Sequence, residues 1–224
     1  MEADRIAFDR PYAGLLYGRF ETVYTFNRSF LKGTLLLGIM GPASLAGKFQ
    51  DWFHDEITHD PIFDEWKYQV PNQSIFNADL TYGYDFLPNR KWFDVYSAIN
   101  ARLGNLYIDA SPTLGVRFGK FNKLAHSLAT DNAILLNPAD WELLVQATIG
   151  GSVNLFDGTA QGSLFRRDFE YAVDDLKLFN AVTTLSLYAT FKRISLGIEH
   201  HFLYGKVVPT ERHVYARTIF KYRF

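Results

Sequence analysis

The chain closes on His213-Val214-Tyr215-Ala216-Arg217-Thr218-Ile219-Phe220-Lys221-Tyr222-Arg223-Phe224. Successive side chains of a strand point to opposite faces. One alternate set is Val214, Ala216, Thr218, Phe220, Tyr222 and Phe224, mostly apolar and aromatic towards its end. The other is His213, Tyr215, Arg217, Ile219, Lys221 and Arg223, mainly basic and polar. A soluble sandwich would turn the apolar face into a core. A transmembrane β-barrel would turn it into lipid, with aromatics near the interface and polar groups in the lumen.

Composition favours the second reading. The 224 residues suit one large all-β domain spanning 1–224. Aromatics make up 17% of the chain, with 13 Tyr and 20 Phe, yet the mean hydropathy is only -0.09. That pairing is natural for a barrel facing lipid. The net charge of -1 gives no polybasic argument for nucleic acid. The absence of cysteine excludes disulfide frameworks, thiolate catalysis and Cys-ligated metals. The longest apolar run, 33–47, lies between Lys32 and Lys48 and is broken by Pro42. It falls short of the ~20 apolar residues of a spanning helix. An exported barrel needs a signal peptide, and Met1-Glu2-Ala3-Asp4-Arg5 is not one, so a mature form or a fragment is expected.

Alternating segments recur at 9–26, 30–41, 74–87, 92–106, 110–120, 140–156, 178–191, 194–204 and 212–224. In the first, Leu16, Gly18, Phe20, Thr22, Tyr24 and Phe26 share a face. Nine such strands are long enough to cross a membrane at a tilt, which takes ~9–11 residues. With the C-terminus on the periplasmic side, 27–29, 88–91 and 192–193 become periplasmic turns. The segments 41–73, 157–177 and 205–211 become the longer extracellular loops, the expected asymmetry. The connection 121–138 is long for a periplasmic turn. Single-chain bacterial barrels have even strand numbers, and lipid cannot satisfy an open sheet edge. The odd count therefore means either that the true number differs by one or that N-terminal strands beyond these belong to the barrel.

One segment, 42–58, reads as a helix in an extracellular loop. Pro42 opens it and Ser44 can cap it. Leu45, Phe49, Trp52, Phe53 and Ile57 form an apolar stripe at helical spacing, expected to pack on the barrel rim. Gln50 and His54 are four apart and share a face, and Gly47 one turn earlier permits close approach. Lys48, Asp51 and Asp55 are expected to face water. Taken alone, His54 is an ordinary surface or interface histidine and Gln50 is unremarkable.

A series of motifs changes that. Asp9-Arg10-Pro11-Tyr12-Ala13-Gly14-Leu15-Leu16-Tyr17 is followed by Gly41-Pro42-Ala43-Ser44-Leu45-Ala46-Gly47 and Gln50-Asp51-Trp52-Phe53-His54. Later come Gly104-Asn105-Leu106-Tyr107, Gly115-Val116-Arg117-Phe118-Gly119 and Leu155-Phe156-Asp157-Gly158. In this order and spacing the series resembles the outer-membrane lipid A 3'-O-deacylase family, over essentially the whole chain.

The resemblance implies a twelve-stranded antiparallel barrel that removes an ester-linked acyl or acyloxyacyl group from lipid A. Its site lies between the wall and a short extracellular-loop helix. The family's catalytic His matches His54 and its nearby Gln matches Gln50. Asp9, Arg10 and Ser44 would support the site or bind substrate. An imidazole with pKa about 6.5 can take a proton from water at neutral pH. The hydroxide attacks the ester, and the oxyanion needs a cation or preorganised donors. In the family that cation is calcium on hard oxygen ligands. Its ligands lie upstream of the Asp9–Gly14 motif, so no metal ligand is assigned in this chain, which is expected to lack the family's N-terminal strands. The implied partners are lipid A or lipopolysaccharide and the bacterial outer membrane, crossed many times. No nucleic acid is expected, and a monomer is. The main alternative is a catalytically inactive, truncated or degenerate barrel with a structural or binding role. A soluble lipocalin-like carrier fits poorly, because it needs a smaller barrel.

Other polar groups carry less. In a strand, His200 points away from Glu199 and His201, so these three cannot converge on a metal; Glu199 and His201 are expected to pair in the lumen. His59-Asp60 reads as solvated loop. Arg166-Arg167, Lys206 and Arg212 lie in or beside outer loops, as lipid phosphate contacts or ordinary loop charge. Asp174-Asp175 lacks EF-hand spacing. No GxSxG motif or phosphate-cradling glycine loop supports a serine hydrolase or a nucleotide enzyme.

Overall fold

The computed structural model describes residues 10–59, 61, 64–88, 90–132, 141–166, 169–173, 176–205 and 212–223. Within them the alternating segments become nine strands: β1 (Leu15–Thr25), β2 (Ser29–Met40), β3 (Gln73–Asp85), β4 (Phe93–Gly104), β5 (Tyr107–Lys120), β6 (Trp141–Asp157), β7 (Phe179–Phe191), β8 (Ile194–Tyr204) and β9 (Arg212–Tyr222). Each pairs antiparallel with the next, in the order of the chain. The sheet curls into an open half-barrel. β9 does not pair with β1 among the described residues, but the curl brings their side chains near one another: Asp131 reaches Arg19 of β1 at 3.2 Å and also pairs with Lys221 of β9.

The sheet is inside-out relative to a soluble protein. Its outward side chains are large and apolar: Phe20 is 63% exposed, Phe220 67%, and Phe76, Leu80, Leu103 and Ile149 are exposed beside them. An apolar face of this extent far exceeds the patch of a few hundred Å² that a soluble monomer leaves in water. Lipid removes that cost.

The inner face carries the polar residues, which satisfy one another. Arg117 of β5 forks onto Asp94 of β4, with Nε 3.0 Å from Oδ1, and also donates to the Asn122 carbonyl. Arg102 forks onto Asp109 across the β4–β5 pair. Glu199 accepts from Arg217 at 2.8 and 3.0 Å and from Tyr188 at 2.5 Å, and His201 Nε2 lies 2.8 Å away. Glu199 and His201 therefore pair as expected, and the His200 ring lies tilted against Phe202, with centroids 4.8 Å apart.

The connection that is too long for a turn has a reason to be long. Residues 121–132 fold back under the sheet through two tight turns, Leu124–His126 and Leu128–Thr130. Leu124 and Ala125 pack on Phe30 and Tyr96, and Leu128 packs on Leu144 and Tyr188. The buried Glu142 carboxylate accepts from the backbone N–H groups of Asn122 and Leu128 at 2.8 and 2.9 Å, and Lys32 donates to the Thr130 carbonyl at 3.1 Å. The segment is a plug. At the opposite end Leu36, Met40, Val70, Ile75 and Leu106 form a third buried cluster beneath the loops.

Candidate functional site at the loop helix

β2 leaves the sheet at Gly41, whose φ of 96° suits glycine. A side chain there would collide with the backbone of Pro71 and Asn72, 2.7 Å away. Pro42–Ser44 makes a single tight turn, and Leu45 breaks it with a left-handed φ of 62°. Helix α1 then runs over Ala46–Phe53, and His54–Thr58 widens into a π turn that His59 closes. The expected helix over 42–58 is thus three local conformations.

Ser44 does not cap one continuous helix. Its hydroxyl accepts from the Ala46 N–H at 3.3 Å while the residue is buried. A Cβ on Gly14 would stand 2.3 Å from that oxygen, so glycine here makes the niche that Ser44 fills. Gly41 N–H also donates to the Gly14 carbonyl at 2.9 Å. This is why β1 begins only at Leu15: the residues before it brace the loop.

The apolar stripe does not pack on the rim. Leu45, Phe49, Trp52, Phe53 and Ile57 all face outward, from 39% exposed at Phe53 to 65% at Phe49. Gly47, Gln50, Asp51 and His54 occupy the half-buried side. Asp51, expected in water, has Oδ1 buried without a hydrogen-bond partner among the described residues, whereas Lys48 and Asp55 are exposed as expected. Trp66, in the turn Asp64–Tyr68, takes the place expected for the stripe. A Cβ on Gly47 would lie 3.0 Å from its ring, its Nε1 donates to Gln50 Oε1 at 2.9 Å, and its centroid is 5.0 Å from that of Tyr12. Tyr12 is held in turn by Val70 N–H on its carbonyl at 2.9 Å.

His54 follows Gln50 by one turn, and its backbone N–H bonds the Gln50 carbonyl. Its Nδ1 lies 3.0 Å from the Pro61 carbonyl. A carbonyl only accepts, so Nδ1 carries the hydrogen and the neutral ring has its lone pair on Nε2.

The remaining candidates do not converge here. Arg10 is exposed and within electrostatic reach of Tyr215 on β9. His59 Nδ1 donates to the Asp55 carbonyl at 2.7 Å. Arg166 is exposed, and Arg212 lies over the Phe202 and Tyr204 rings. Asp9, Asp60, Arg167, Asp174, Asp175 and Lys206 lie outside the described residues. Among the described residues no three His, Asp or Glu side chains gather into a cluster.

Tyr12 and Trp66 escaped the sequence reading as site residues. Trp66 sits in a short polar stretch, Asp64-Glu65-Trp66-Lys67-Tyr68, with no periodicity to mark it. The only hint is Gly47, which signals close approach without naming the visitor.

An antiparallel wall with an apolar outer face and a polar, plugged interior defines a transmembrane β-barrel protein. The family model described as outer membrane protein LpxR matches residues 1–224, and the chain belongs to that family. Its fold is similar to that of LpxR from Salmonella typhimurium, with a TM-score of 0.79 and 15% sequence identity over 96% of this chain and 74% of that one. Among curated proteins none matches the sequence.

Proposed function

We propose that this protein is an outer-membrane lipid A deacylase that hydrolyses the 3'-ester-linked acyl or acyloxyacyl chain, with His54 as general base and Gln50 beside it. The observation that carries the reading is the two-faced loop helix. Gln50 and His54 share its inner side, and an exposed apolar stripe forms its outer side. A helix of this kind suits a substrate whose acyl chains lie in the leaflet while its ester sits at the rim.

The Nε2 lone pair of His54 takes a proton from water as the water oxygen bonds to the ester carbon. The carbonyl pair moves onto oxygen. Collapse of that intermediate expels the sugar alkoxide, which recovers the proton from the imidazolium. Calcium dependence is part of the proposal through the family resemblance alone, and no step here passes through the ion.

Mass spectrometry of lipid A from cells expressing His54→Ala checks the assignment. Loss of 3'-chain removal is expected, and retained deacylation overturns it. A non-catalytic barrel is the second reading, motivated by the nine-stranded sheet whose edges β1 and β9 are not paired with each other among the described residues. Chelation separates the two: the enzyme loses activity and recovers it with added calcium, whereas the inactive barrel shows neither change.

A further inference from the structure

We propose that Trp66 is a positioning residue that fixes the Gln50 amide so that its NH2 group, not its oxygen, is presented to the reacting ester as an oxyanion donor. This rests on the deacylase reading above.

The two ends of a glutamine amide are nearly indistinguishable by shape, so only its partners decide which end points where. Here the partner decides. An indole N–H can only donate, and it lies 2.9 Å from Gln50 Oε1. The oxygen is therefore the end turned to Trp66, and Nε2 with its two hydrogens is directed away. His54 stands one turn further along the same half-buried side. A base and a double donor thus share one side of the helix, the pair of roles that water attack on an ester requires.

The indole has little freedom to do otherwise. Glycine at 47 lets the ring lie against the helix, because a Cβ there would meet Cδ2 and Cγ at 3.0 and 3.1 Å. Tyr12 closes the other side with its ring 5.0 Å away. The N–H is aimed before substrate arrives, and a preoriented donor needs no reorganisation at the moment of reaction. In the step itself, water gives its proton to His54 Nε2, its oxygen bonds to carbon, and the carbonyl pair moves onto oxygen, where the oxyanion accepts a hydrogen bond from Gln50 Nε2–H. The donor is unchanged once the alkoxide has left.

Three variants of the whole protein in detergent, assayed on purified lipid A, test this. Gln50→Glu keeps the shape and still accepts from Trp66, but puts a lone-pair oxygen where the donor was. Its kcat should fall by about 10²–10³, the usual effect of losing one oxyanion donor, with KM nearly unchanged. If Gln50 worked instead as an acceptor that orients water, Gln50→Glu would keep its rate, and the proposal would be overturned. Trp66→Phe keeps the ring against Gly47 and Tyr12 but removes the N–H. Its kcat should fall on the order of tenfold with the melting temperature held, whereas a purely structural role would move the melting temperature and KM. The third measurement does not need turnover. The Trp66 indole proton resonance, assigned by its loss in Trp66→Phe, should shift upfield in Gln50→Leu. An unmoved resonance means that the hydrogen bond is absent and overturns the proposal. Active His54→Ala sinks the deacylase reading instead, so the two failures are distinguishable.

Discussion

Single atoms decide much of the loop end. Gly14 has no Cβ because Ser44 occupies that space, 2.3 Å from where the Cβ would stand. Gly14→Ala should therefore push the start of α1 off the wall at a cost of about 1–3 kcal/mol, typical of overpacking. Deacylation should be lost while the barrel still runs as a folded band on unheated gels. In the lumen the stakes are electrostatic. Arg117 and Asp94 are both fully buried and forked together. Arg117→Leu strands a carboxylate and should cost about 3–5 kcal/mol in urea unfolding from bilayers. The double replacement by Leu at both positions should cost much less, because no charge is then left without a partner. None of these contacts was legible in the sequence. Glycine, serine, arginine and aspartate were all visible, but which of them meet is set by residues far away along the chain.

At the scale of elements, α1 and the plug behave differently from their sequence reading for one shared reason. An amphipathic segment advertises two faces but not what each will meet. The stripe of α1 was expected against protein and faces outward. If it sits in the leaflet, brominated lipids should quench the fluorescence that Trp52→Phe removes, and Phe49→Ser with Trp52→Ser should raise KM several-fold on vesicles. Each apolar side chain so seated is worth about 1.5–3 kcal/mol. No quenching at Trp52 would mean that the stripe meets water. The plug carries a pH signature through Asp131. Burial works to raise its carboxyl, but Lys221, Lys32 and Arg19 outweigh it and hold it below the ordinary aspartate range. A depressed folded value contributes stability that is complete above the ordinary aspartate pKa of about 3.9. That contribution is lost as pH falls through the lower folded value. Acid titration should therefore loosen the plug below the ordinary range, seen as hydrogen exchange at 124–130, and Asp131→Asn should be loose at neutral pH already.

For the whole molecule the outward face is the decisive surface. Phe20 lies in the middle of β1, opposite Leu35. Phe20→Arg should cost about 2–4 kcal/mol if this is the bilayer midplane, measured by folding into vesicles, and nearly nothing if the face is wet. The sequence by itself determined the nine strands, their order, their antiparallel pairing and which alternate set faces out. Those follow from a period of two that each strand carries locally, and from turns that join neighbours. The expected strands differ from the observed ones by a few residues at most ends. The exception is the first, where the segment before Leu15 is drawn off to brace the loop. Only the tertiary structure decided that 121–132 folds inward, that α1 turns its polar side to the wall, and that Trp66 stands beneath it. Each of these depends on a partner about ten to a hundred residues away filling a space that no local pattern describes. The closing strand shows both halves at once. Its alternation announced a lipid face and a polar face, but that Arg217 would meet Glu199 and Lys221 would meet Asp131 became evident only once the sheet had curled.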